Sequence, residues 1–123
     1  MNYLKDTNAG NLLKEIKTKS PLVWNISNFV SMDIAANVLL SIGASPAMAH
    51  AIEEAESFAN LSKAINGALT INIGTFDKHW QRCAVKVANE AKFHNIPWVL
   101  DPVGAGASEF RSNNAKELLF LKP

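Results

Sequence analysis

Short apolar runs alternate with longer stretches of helical periodicity along the chain. Leu12, Leu13 and Ile16 share one face among Lys5, Lys14, Glu15 and Lys17, which predicts a short amphipathic helix at a domain edge, ended by Ser20-Pro21. Leu22 to Ile26 is a brief apolar run between turn formers and reads as a buried strand. Phe29 to Ile42 is apolar almost all round, with Asp33, Asn37 and Ser41 as one polar stripe and Gly43 at the C′ position, which predicts a deeply packed helix. Ser45 to Ala49 is a second strand. Glu53, Glu54 and Glu56 then open a helix whose Phe58, Leu61 and Ile65 face the core. Ala68 to Ile73 is a β-branched third strand, central in the sheet. Asp77 caps a longer helix with Trp80, Cys83, Ala84, Val87 and Ala91 on its apolar side. Ile96 to Leu100 is a fourth strand, and Asn113 to Leu121 a last helix.

Strands alternating with helices imply right-handed crossovers and an α/β fold, a parallel sheet with helices on both faces. Ligands of such sheets bind at the carboxyl ends of the strands. Four segments fall there: Asn25 to Asn28, Met48 to His50, Gly74-Thr75, and Asp101 to Gly106. The last helix has no strand to return to, so the unit reads as interrupted.

Composition narrows the function. The 123 residues are 48% hydrophobic and 19% charged, which fits one globular domain. Twelve Lys and Arg against 11 Asp and Glu leave a formal charge of +1, without the concentrated basic field that nucleic acid or an anionic membrane requires. Cys83 is the single cysteine, which excludes an internal disulfide and makes a reducing, cytoplasmic setting the expectation. The N-terminus lacks the apolar core of a signal peptide, and Phe29 to Ile42 is too short to span a bilayer.

The Asp101-Pro-Val-Gly-Ala-Gly turn combines a carboxylate with two glycines whose backbone can approach an anion, so it suits phosphate or Mg²⁺. A plain tight turn between strand and helix is an equally good reading. Neither the dinucleotide fingerprint nor a Walker loop is present. Gly74 and Thr75 offer a bare backbone and a hydroxyl, with a turn and helix cap as the alternative. Asn25 and Asn28 can hold a small polar ligand or bond their own loop, and Met48 fills core in most contexts. His50, His79 and His94 lack metal-ligand spacing and read as surface or loop residues. Cys83 reads as a small buried hydrophobe.

Taken in order, Ser20-Pro-Leu-Val, Ile26-Ser-Asn28, Ala36-Asn-Val-Leu-Leu40, Gly43-Ala-Ser-Pro-Ala-Met48, Glu53-Glu54, Ile71-Asn-Ile-Gly-Thr75 and Trp98-Val-Leu-Asp-Pro-Val-Gly-Ala-Gly106 with Phe110-Arg111 closely resemble hydroxyethylthiazole kinase. The resemblance runs from about Ser20 to Pro123. It implies a ribokinase-like fold that transfers the γ-phosphate of ATP to the hydroxyl of 4-methyl-5-(2-hydroxyethyl)thiazole in thiamine biosynthesis, with Mg²⁺, as a homotrimer. It further implies that Met48, Asn25, Gly74 and Thr75 bind substrate, that Asp101 lies near the metal, and that Gly104 and Gly106 lie near the phosphate. Trp24-Asn-Ile-Ser-Asn28 departs from the family's histidine-containing segment ending in Thr-Asn, which alters the expected pocket. The family continues past Lys122-Pro123 into its ATP-binding segments and catalytic anion hole. Residues 1–123 are therefore expected to be the N-terminal, substrate-side part of one such domain, truncated, with no catalytic residue of its own. A non-catalytic thiazole-binding or subunit-assembly fragment is the alternative.

Overall fold

The computed structural model describes residues 8–123, so Lys5 of the first amphipathic pattern lies outside the described residues. The elements are α1 (Ala9–Lys19), β1 (Leu22–Ile26), α2 (Met32–Ser41), β2 (Ser45–Ala47), α3 (Ala55–Ala64, entered through a 3₁₀ turn at Ile52–Glu54), β3 (Ala68–Asn72), α4 (Lys78–His94), β4 (Trp98–Asp101) and α5 (Glu109–Leu119). The four strands form one parallel sheet in the order β2-β1-β3-β4, so the expected α/β class holds and β3 is indeed internal. Trp24 pairs with Ala47 on one side and Leu69 on the other, and Leu69 pairs in turn with Trp98.

Local chemistry sets the helix ends. Asp77 accepts the Trp80 N–H at 2.8 Å and starts α4, and Asn95 closes it at φ 55°. Gly43 follows α2 at φ 94°, the C′ glycine expected there. Ser108 caps α5 by accepting the Arg111 N–H at 3.2 Å, so this helix begins four residues earlier than Asn113. Apart from Phe110 its first turn is polar, and apolar periodicity alone passes over it.

Right-handed crossovers divide the helices between the faces. The step from β1 to β2 runs opposite to the steps from β2 to β3 and from β3 to β4, which puts α2 on one face and α3 and α4 on the other. Under α3, α4 and α5 lies the core: Trp24, Ile26, Leu69 and Ile71 from the sheet, with Ile73 just past β3, meet Cys83, Ala84, Val87, Ala88 and Ala91 of α4. Trp24 stacks on Phe58 with ring centroids 5.5 Å apart, and its Nε1 donates to the Ala49 carbonyl at 3.0 Å.

Two burial expectations are corrected. In α3 the buried face is Ala55, Ala59 and Ser62, while Leu61 and Ile65 are exposed and Phe58 is only partly covered. Small residues on α3 face the small residues of α4, which lets the two helices approach closely and turns the larger side chains outward. The stretch from Phe29 is not deeply packed either. The helix begins at Met32, none of its residues is fully buried, and Ile34 is 65% and Val38 53% exposed. The apolar surround marks a face uncovered in the isolated chain.

Candidate functional site

The sheet face on the α2 side carries polar residues where the core face does not. Asn25, Thr70, Asn72 and Asp101 project from it, alternating along β1, β3 and β4 with the buried Trp24, Ile26, Ile71 and Trp98. Asn25 is buried with both ends of its amide engaged: Oδ1 accepts from Thr70 Oγ1 at 2.8 Å and Nδ2 donates to the Val23 carbonyl at 2.6 Å. Toward the carboxyl ends of the strands the bonds continue across the sheet. Asn28 Nδ2 donates to Asn72 Oδ1 at 2.6 Å, and Asn72 Nδ2 donates to Asp101 Oδ2 at 2.7 Å. Asn28 Oδ1 accepts the Val30 and Ser31 N–H groups at 2.9 and 3.0 Å, which ties the start of α2 into the same network.

Gly74 is where this network meets backbone. Its N–H donates to Asn72 Oδ1 at 2.8 Å, and a Cβ there would lie 2.7 Å from Asn28 Nδ2, so no side chain fits without displacing the asparagines. Thr75 is not the cap of α4; its hydroxyl accepts the Phe29 N–H at 3.2 Å and joins the β1 and β3 loops. The turn after β4 closes on itself. Val103 N–H donates to the Asp101 carbonyl, Ala105 N–H to Pro102, Ala107 N–H to Gly104, and Gly106 N–H to Ser112 Oγ at 3.0 Å. Gly104 and Gly106 take φ 72° and 94°, which the turn requires, and the Gly106 amide already has a partner within the chain.

Two clefts open among these residues. One, of about 330 Å³, runs beneath α2 and is lined by residues that include Asn25, Ser31, Ala35, Thr70, Asn72 and Asp101. The other, of about 370 Å³, lies at the strand ends between Asn28, Val30, Ser31, Asn72, Gly74, Thr75 and Val103. Ser31 and Asn72 belong to both walls. Met48 is half-buried just past β2 and lines neither cleft. Of the seven residues singled out from the sequence, the structure thus gathers Asn25, Asp101, Gly74 and Thr75 around two adjoining clefts and leaves Met48, Gly104 and Gly106 outside their linings. A hollow of about 570 Å³ on the outside of α3 and α4, with Glu56, Asn60 and Glu90 in its lining, lies away from these strand ends.

His50 lies in the loop after β2 and is half-buried there: its Nε2 accepts the Ser27 N–H at 3.0 Å and its ring lies 4.5 Å from that of Trp80, which also meets Phe29 edge-on. Burial holds its pKa below the ordinary 6.5, against smaller opposing pulls from the Met48 and Ser27 backbone. His94, in α4 with its side chain 11% exposed, is the one that departs from a surface or loop placement. Cys83 is buried as expected, and burial, with the Glu53 carboxylate adding, pushes its thiol up to about 11.

Sequence comparison places this arrangement. Residues 13–122 match the model of the hydroxyethylthiazole kinase family. The chain belongs to that family. A hydroxyethylthiazole kinase of Rhizobium johnstonii is 53% identical over 120 residues, covering 95% of this chain and 42% of that protein. One from Pyrococcus furiosus is 46% identical over 111 residues, covering 90% of this chain and 40% of that protein. A solved hydroxyethylthiazole kinase structure from Pyrococcus horikoshii superposes with a TM-score of 0.84 at 48% identity, over 90% of this chain and 42% of the other. The chain thus spans about two fifths of the length of the family members it matches. Among the described residues no helix is long and apolar enough to cross a membrane.

Sequence reading missed Asn72 and Arg111 as parts of the site. Asn72 stands in a strand where a polar residue reads as solvent-facing, and its three partners are 44, 29 and 2 residues away. Arg111 sits in a polar first turn of α5, yet its guanidinium reaches the β3 loop, where Nη1 donates to the Ile73 carbonyl at 2.7 Å.

Proposed function

We propose that this chain forms the substrate-side part of a kinase that phosphorylates the hydroxyl of 4-methyl-5-(2-hydroxyethyl)thiazole with ATP in thiamine biosynthesis. The observation that carries the reading is the cleft between Asn28, Asn72, Gly74, Thr75 and Val103, in a chain of the hydroxyethylthiazole kinase family. Val30 and Val103 supply apolar contact for an aromatic ring. Thr75 Oγ1, which accepts from Phe29, keeps its own proton to donate to a ligand heteroatom. Asn25 supports the floor beneath through Thr70, and Met48, expected to bind substrate, would have to reach the ligand from outside the two clefts.

Asp101 is the carboxylate that would hold Mg²⁺. One of its oxygens takes the Asn72 amide, and the residue is exposed. Among the described residues no group of three or more His, Cys, Asp or Glu could hold a metal, so the fit is to the usual Mg²⁺ mode of one or two carboxylates completed by phosphate and water. Bound there, the ion supplies charge neutralisation on the transferring phosphoryl group. Gly104 and Gly106 shape the turn beside it. The working protein is a cytoplasmic homotrimer in this reading, with ATP bound by residues beyond this segment.

Calorimetric titration of the chain with the thiazole alcohol tests the binding part, with saturable heat at one site per chain expected. Protein extended to the length of its relatives should form ADP only when the alcohol is present. No ADP with the extended protein, and no heat at millimolar alcohol, would overturn the reading. The exposed apolar face of α2 favours a second reading, a non-catalytic fragment retained for subunit assembly. Association by light scattering without thiazole binding would select it.

A further inference from the structure

Arg111 is a half-buried cation bonded to backbone, with no carboxylate within ion-pair distance among the described residues. Its Nη1 donates to the Ile73 carbonyl at 2.7 Å and to the Val103 carbonyl at 3.0 Å, and its Nη2 donates to the Gly74 carbonyl at 2.6 Å. These carbonyls belong to two different loops, one after β3 and one after β4. The same loops supply Gly74, Thr75 and Val103 to the walls of the 370 Å³ cleft. The stem is equally confined: a Cβ at Gly104 would lie 2.9 Å from Arg111 Cδ, so the turn after β4 is shaped around the arginine.

We infer that Arg111 is a positioning residue that sets the width of the cleft by holding its β3 and β4 walls together. The planar guanidinium presents donors in a fixed fork, which can bridge three carbonyls at once; a lysine ammonium is a single point on a flexible stem and cannot reproduce the span. Its carrier, α5, is itself anchored by Asn114, Ala115 and Leu118, so the fork is offered from a rigid helix. This assignment deepens the proposed thiazole reading and rests on it only for the identity of the ligand. The holding of the walls stands on the geometry alone.

Two measurements on the 123-residue chain separate these parts. Amide hydrogen exchange is followed in wild type, Arg111→Lys and Arg111→Gln. Exchange at Ile73, Gly74, Val103 and Ala105, whose N–H groups are bonded to Asp101, Asn72 and Pro102 at the ends of β3 and β4, should accelerate by about tenfold or more in both variants. Leu69, at the far end of β3 and bonded to Pro97, should keep its protection. Unchanged exchange at the loop amides would overturn the inference. An even acceleration that includes Leu69, or failure of both variants to fold, would make Arg111 a general structural residue and overturn it too. Thiazole-alcohol affinity should fall about tenfold in both variants, with lysine giving no rescue. Wild-type affinity retained in Arg111→Lys, despite loosened loops, would overturn the control of cleft width. Absence of thiazole binding in the wild type would instead defeat the proposed ligand and leave the exchange result to decide the role of Arg111.

Discussion

Replacing Gly74 with alanine tests whether the asparagine network is a rigid part of the site. The added Cβ would lie 2.7 Å from Asn28 Nδ2, 2.9 Å from Asn28 Cγ and 3.0 Å from Asn72 Oδ1. These are atoms of short side chains, not the ends of flexible ones. Asn28 is only 6% exposed and is held by three hydrogen bonds, so it has little room to retreat. Gly74 does not occupy the left-handed region, so backbone strain is not added. Breaking the Asn28–Asn72 bond costs about 1 kcal/mol, and crowding a packed site adds roughly 1–2 kcal/mol. Alanine's smaller unfolded-state entropy returns about 0.5 kcal/mol. The net expectation is a loss of about 2 kcal/mol, which moves a urea midpoint down by roughly 1 M for a protein of this size. Gly10→Ala, in α1 with Asn8 Oδ1 at 3.3 Å the single atom near the built Cβ among the described residues, is the control and should be neutral or stabilising. The double variant Asn28→Ala/Gly74→Ala should be less destabilised than the sum of its parts by about 1 kcal/mol, because the first change removes the obstacle to the second. A Gly74→Ala chain as stable as wild type, or strict additivity with Asn28→Ala, would refute the reasoning.

Three further outcomes are expected. Because burial holds the His50 pKa below 6.5 in the folded chain, the unfolded chain takes the proton first on acidification. Stability is therefore full above about pH 6.5 and falls as the pH drops through the folded value, so thermal midpoints at pH 7.5 and 5.5 should differ more in wild type than in His50→Gln. Cys83, pushed up to about 11 and buried, should resist alkylation at pH 7.5 until urea unfolds the chain, as mass spectrometry would read. Trp24→Phe removes the Nε1 bond to Ala49 and leaves a void beside Phe58, so chemical denaturation should register a loss of about 2 kcal/mol.

What was legible in the sequence is what local rules govern. β1, β3 and β4 announce themselves as apolar runs with β-branched residues, and Asp77 and Gly43 mark helix ends through their own side-chain chemistry or backbone freedom. Parallel order follows from alternation with helices, and that in turn places the candidate loops at one edge of the sheet. Burial in α2 was misread because periodicity reports which side chains are apolar, not what covers them: Ile34 and Val38 are as apolar as core residues and stand exposed. Leu61 and Ile65 failed for the opposite reason, since the buried face of α3 is made of alanines and a serine that carry almost no hydrophobic signal. Long-range polar pairing is invisible to a linear reading. Nothing near Arg111 indicates that it reaches Ile73 and Gly74, and nothing near His50 indicates that it receives the Ser27 N–H.

The all-parallel strand order also has a consequence for how the chain is made. No two neighbouring strands can close as a hairpin, so each pairing waits for a complete crossover helix to emerge. β1 can meet β2 early, but its other neighbour, β3, lies far downstream, with Asn25 and Thr70 separated by 45 residues. During synthesis the nascent β1, with Trp24 and Ile26, therefore stays half-paired until β3 has left the ribosome. Conditions that slow translation between Ser45 and Asn72 prolong that exposure, so the yield of soluble chain should depend on elongation speed and chaperone supply over this stretch.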